Sequence, residues 1–154
     1  MDEEDFLKKY NELRDKFSLP EYTDLDFNFE IGFPDDKNVL RAVRKKMSEK
    51  LEQYTKFIEE LIQPDSSFSS MYDVKDFSDD FKKKVFSLFR RMMVFYKESI
   101  KLNMAISDEK DAEFVKDLYE FWLEVKNDVI VIIDKIKDTW EKDDDDKHIT
   151  EYFG

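Results

Sequence analysis

The sequence predicts an all-α fold: a four-helix bundle with an extended arm between the first and second helices and a disordered C-terminal tail. Three observations carry this. Apolar residues recur at spacings of three and four through four segments, the period of one helix face. Only two Gly and three Pro occur in 154 residues, too few of the punctuators that a many-stranded β protein needs at its turns. Fifteen Phe and seven Tyr supply apolar bulk that a disordered chain lacks, and a chain of this length buries a core.

The first helix reads from Glu3 to Lys16, with Phe6, Tyr10, Leu13 and Phe17 on a narrow stripe, and Pro20 stops it. Leu25, Phe27, Phe29 and Ile31 then alternate with Asp26, Asn28 and Glu30, the period of a half-buried strand. With no partner strand elsewhere, this segment is expected to lie as an extended arm or short lone strand across the helices. The second helix is expected to start near Asp35 or Asp36, whose carboxylates suit a helix N-terminus. It carries Leu40, Val43, Met47, Leu51, Tyr54, Ile58 and Leu61 and ends at Pro64. From Gln63 to Phe77 the pattern is that of a long loop, apolar enough at Phe68, Met71, Tyr72, Val74 and Phe77 to pack back onto the bundle.

Ser78 reads as the N-cap of a third helix running to about Met104, with Phe81, Val85, Leu88, Met92, Phe95 and Tyr96 inward. Ser107 opens the fourth in the same way. Its stripe runs from Phe114 through Leu118, Phe121, Trp122, Val125, Val129, Ile132 and Ile136 to Trp140. The β-branched run Val129 to Ile133 suits a strand by propensity, but helical spacing continues on both sides of it. The short connection through Ala105-Ile106-Ser107 makes the third and fourth helices an antiparallel hairpin. Leu51, Tyr54, Leu88, Met92, Leu118, Trp122 and Val129, central on their stripes, are expected among the most buried side chains. Residues 1–140 thus form the bundle domain, and 141–154 an acidic linker followed by a peptide.

Composition narrows the function. There is no Cys and one His, so no Cys/His or Ser/His nucleophile pair, disulfide or thiolate metal site assembles within one chain. With Gly at 32 and 154 alone, no Gly-rich phosphate loop exists. Carboxylates fall mostly on the solvent sides of the expected helices. These residues predict no enzyme, no cofactor and no metal centre. The acidic start and an apolar run no longer than Val129–Ile133 point to a cytoplasmic protein without a signal or membrane span, and a Cys-free chain suits a reducing compartment.

A formal charge of −12 argues against general coating of nucleic acid. Two local clusters run against it: Arg41, Arg44, Lys45 and Lys46 on the second helix, and Lys82, Lys83, Lys84, Arg90 and Arg91 on the third. They are a possible basic surface for phosphates or an acidic partner. Nearby Glu49, Glu52, Asp79 and Asp80 support the blander reading of solvated charge.

The acidic run Asp143–Asp146 precedes Ile149, Tyr152 and Phe153, at spacings of three and one. In a single 3₁₀ turn, residues three apart eclipse, so these side chains would form one apolar plug. The segment resembles the PCNA-interacting peptide (PIP box), in which a Gln is followed by an aliphatic residue three positions on and then by two aromatics. Ile149, Tyr152 and Phe153 match, and Asp146 stands where the Gln belongs. The resemblance implies a sliding clamp as protein partner and an accessory role in DNA replication or repair, in the manner of archaeal clamp clients. The aromatic-rich third helix with Arg90-Arg91 also resembles the helical domain of GINS replisome subunits, without that family's small β domain and without residues to carry over. Two other readings stand beside clamp binding. One is a helical scaffold that self-associates through its aromatic surface; the other is an acidic regulator acting as a nucleic-acid mimic.

Overall fold

Side-chain caps mark where five of the six helices of the described residues begin. The computed structural model describes residues 1–142, and Asp146, Ile149, Tyr152 and Phe153 lie outside the described residues. Six helices follow in order: α1 (Glu3–Phe17), α2 (Tyr22–Phe29), α3 (Val39–Ile62), α4 (Phe68–Asp73), α5 (Asp79–Leu102) and α6 (Asp108–Glu141). No strand occurs among the described residues. Asp2 caps α1, its carboxylate accepting the Asp5 amide at 2.8 Å. Ser78 and Ser107 cap α5 and α6 as their sequence context predicts, accepting from the amides of Phe81 and Lys110. Each cap satisfies one of the amides that a helix start leaves unpaired.

The four long helices are the expected bundle, with α3 packed against α5, α6 and α1. α5 and α6 form the antiparallel hairpin: Phe95 lies 4.8 Å from Phe121 and 6.0 Å from Phe114 between ring centres, and Asp76 ahead of α5 meets Thr139 near the end of α6. Val129 to Ile133 is helical. Leu51, Leu88, Met92, Leu118, Trp122 and Val129 are buried as expected. Tyr54 is half-buried, its ring stacked on Trp122 at 4.7 Å.

The arm requires correction. Residues 22–29 form α2, and Tyr22, Leu25 and Phe29 point into the core at spacings of three and four. Phe27, which an alternating strand would bury beside them, is 78% exposed. Helix α2 closes through Glu30 in the left-handed region, and Gly32 follows with φ 67. The Gly32 amide donates to Asp26 at 2.8 Å and its carbonyl accepts the Tyr22 hydroxyl, which ties the turn to the helix. Two boundaries also move. α3 begins at Val39 behind Asn38, whose side chain accepts the Arg41 amide at 3.0 Å, while Asp36 holds the turn before it. The long loop contains α4, capped by Ser67. Tyr72 and Phe77 pack inward there, whereas Phe68 and Met71 remain exposed.

Candidate interaction surfaces

The basic cluster on α3 is largely consumed by structure. Arg41 donates to the carbonyls of Leu102 at 3.3 Å and Asn103 at 3.1 Å. Arg44 donates to the Ser99 carbonyl at 3.4 Å and the Asn103 side chain at 2.8 Å. These acceptors sit at the C-terminal end of α5, the negative end of its dipole, where the carbonyls of Leu102 and Asn103 lack an amide ahead of them and Ser99 shares its carbonyl with the Asn103 amide at 3.2 Å. Two guanidiniums from α3 therefore close the C-terminus of α5.

Arg44 is not a surface residue, contrary to the sequence-based expectation. Its side chain is 0% exposed, and its Nε sits 3.0 Å from Oδ1 of Asp111, which is 1% exposed in the first turn of α6. Burial pushes the Asp111 carboxyl above its ordinary range, and the Arg44 guanidinium pulls against that rise. Among the described residues, Arg44 Nη2 and Asp111 Oδ2 have no hydrogen-bond partner. This one knot joins α3, the end of α5 and the start of α6. Lys45 stays exposed, and Lys46 pairs with Glu49 at 3.4 Å one turn on.

The second cluster keeps more of its charge at the surface. Lys82, Lys83, Lys84 and Arg90 are exposed. Arg91 is not free: both Glu124 oxygens lie 3.0 Å from its Nη2, and its guanidinium sits 4.9 Å above the Phe121 ring. The two clusters do not merge. Arg41 sits at the Leu102 end of α5, and eleven to twenty residues at 1.5 Å rise separate that end from the stretch Arg91 back to Lys82, ~17–30 Å away. No continuous basic face results from them.

What the bundle does offer is a set of clefts along α5. One, of about 400 Å³, lies against α6 between Phe81, Leu88, Arg91, Asp128 and Val131. Another, of about 510 Å³, lies against α3 between Lys45, Glu49, Glu52, Tyr96 and Ile100. Among the described residues, no group of His, Asp or Glu is placed to hold a metal ion, and no helix is long and apolar enough to cross a membrane. The first cleft sets Phe81, Leu88, Val131 and Ile132 beside Lys84, Arg91 and Asp128, whereas the second is lined mostly by polar and charged side chains around Tyr96 and Ile100.

Sequence reasoning missed the Arg44–Asp111 pair, because charge spacing along one helix says nothing about a carboxylate sixty-seven residues away. It also read Tyr96 with the core stripe of α5, whereas Tyr96 is half-buried and shares a second apolar line with Phe86, Phe89, Met93 and Ile100. No family model matches the chain, and no curated protein or solved structure matches it.

Proposed function

We propose that this chain is a non-enzymatic accessory protein of DNA replication or repair, acting in the cytoplasm, that binds a sliding clamp through Ile149, Tyr152 and Phe153. The spacing of those three residues behind Asp143–Asp146 is the observation that carries the reading. Desolvation of Tyr152 and Phe153 in an apolar pocket would supply most of the affinity, since buried aromatic anchors dominate small interfaces. Asp146 accepts hydrogen bonds but does not donate them as Gln does, so binding is weaker than for a complete motif.

The bundle fits this reading as a carrier. Helix α6 ends at Glu141, and Lys142 continues in extended backbone with φ −65 and ψ 139. The six residues 142–147, if extended, would span ~20–22 Å, enough to present the plug away from the bundle.

A synthetic peptide of residues 141–154, titrated calorimetrically against the clamp of the same organism, tests the reading. Saturable binding that tightens with Asp146→Gln and vanishes with Tyr152→Ala and Phe153→Ala together is expected. Absence of heat at high micromolar peptide would overturn it.

A further inference from the structure

An aromatic cluster stands uncovered at the point where the chain leaves α6. Phe68 and Met71 of α4 are 37% and 45% exposed, and Trp140 of α6 is 46% exposed, around a buried Tyr72. Tyr72 lies 4.4 Å from Trp140 and 5.5 Å from Phe68 between ring centres, and Phe68 meets Trp140 edge-on at 6.3 Å. Polar contacts brace this end of the bundle. Trp140 donates to Asp73 at 2.7 Å, Thr139 donates to Asp76 at 3.1 Å, and Lys142 pairs with Asp76 at 3.5 Å. A contiguous apolar patch on a braced platform is the kind of surface that a partner segment covers.

The tether says what covers it. Residues 143–154 follow Lys142 and carry Ile149, Tyr152 and Phe153. Trp140 stands two residues before Lys142, a rise of ~3 Å along the helix, so the chain beyond 142 starts at the rim of the cluster. The segment 143–148 then separates that rim from Ile149, which is long enough to reverse direction, since connections of about 2–6 residues do so. A ligand on so short a linker meets its site at an effective concentration in the millimolar range, so even a weak seat is occupied. Two aromatics also suit an aromatic platform, because offset and edge-on ring pairs add to the gain from buried area. Charge does not select the occupant: Lys75 and Lys142 stand beside Asp73 and Asp76.

We infer that the α4–α6 aromatic cluster is a docking site for this chain's own Ile149, Tyr152 and Phe153. The segment 143–148 loops out, and the three side chains lie over Phe68, Met71 and Trp140. Docked and undocked forms are close to evenly balanced, because ordering the linker offsets the burial of three side chains on a shallow patch. Removing the two tail aromatics therefore leaves the thermal melt in place. The inference does not rest on the clamp reading. With both in force, clamp and cluster compete for the same three side chains, and a bound clamp draws the tail off the cluster.

The chain has no Cys, so Gly154→Cys places a single nitroxide label at the end of the intact protein. Paramagnetic broadening of amide and indole signals is read on that full-length chain, with the buried Trp122 indole as internal reference. The tether alone brings the label near α4, so docking is the part of the broadening that Tyr152→Ala with Phe153→Ala removes. Broadening at Phe68, Met71 and the Trp140 indole should fall at least about twofold in that variant. Met71→Glu, at an exposed position, should lower it in the same way at Phe68 and the Trp140 indole while the fold is kept. Equal broadening of the cluster in the parent and in the tail variant overturns the proposal. So does broadening that centres on Phe81, Leu88 and Val131 in the α5–α6 cleft, or broadening that arises only on a second, label-free copy mixed with the labelled one. Absence of clamp binding with this pattern intact would remove the clamp reading alone.

Discussion

Cutting the Arg44–Asp111 pair from one side should be among the most damaging single changes in the bundle. Asp111→Ala leaves a guanidinium that is 0% exposed without its carboxylate, although Ser99 and Asn103 still accept from Nη1. Removing one partner of a buried pair costs ~3–5 kcal/mol, because the remaining charge stays in low dielectric without compensation. Asp111 also stands in the acidic first turn of α6, where a carboxylate contributes ~0.3–1 kcal/mol through the helix dipole. A native domain is stable by only ~5–15 kcal/mol in all, so this one substitution removes a large share. Removing both charges together is a different perturbation. Arg44→Met with Asp111→Leu deletes two desolvated ions, and such replacements run from neutral to ~1–4 kcal/mol stabilising. Part of that gain is lost here, because Arg44 also closes the end of α5 through Ser99 and Asn103. The double variant should therefore lie close to the parent. Urea unfolding of the parent, both single variants and the double, followed by circular dichroism, closes the cycle. An Asp111→Ala loss below ~1 kcal/mol, the usual size of a surface change, would refute the reasoning. A double variant as unstable as the single would do so equally.

Three further outcomes follow from the packing. Trp122→Ala should cost ~3–5 kcal/mol in the same urea assay, since its ring lies between Phe29 and Tyr54 in the centre of the core. Phe27→Ser should cost no more than ~1 kcal/mol, because that ring is 78% exposed and its one cationic contact is the Lys126 ammonium 5.1 Å away; a larger loss would favour the strand arrangement over α2. Burial, with Asp26 and Glu3 adding to it, pushes the Tyr22 hydroxyl up to about 12. Its contribution is thus complete below the ordinary tyrosine range and is lost as pH rises through about 12. Urea melts across that window should show Tyr22→Phe losing less stability with pH than the parent, and parallel curves would count against it.

Much of the frame was legible because local chemistry decided it. Ser78 and Ser107 each precede two acidic residues and an apolar stripe, and caps of that kind act within one turn. Trp122 and Met92 sit mid-stripe in long helices, where neighbouring turns agree. Helix α2 was misread because Leu25 and Phe29, four apart, satisfy both a two-residue and a helical period. Tyr22, three residues earlier, was the signal that separated the two patterns, and it lies just beyond the stretch that alternates. Arg44 was misplaced for a different reason. Its environment is made by α6, so a cluster of like charges on α3 looked solvated until the carboxylate arrived from far along the chain. Trp140 marks the limit of stripe reading from the other side. It stays on the α6 stripe yet is 46% exposed, resting on Tyr72 and donating to Asp73 at the end of the bundle.

The central claim, that residues 146–153 engage a sliding clamp, is tested most directly on the intact protein. Surface plasmon resonance of the full chain and of a Tyr152→Ala, Phe153→Ala variant over immobilised clamp is the measurement. The account predicts saturable binding by the parent, none by the variant, and identical melting temperatures for the two. Equal binding by parent and variant, or none by either at high micromolar protein, would contradict it.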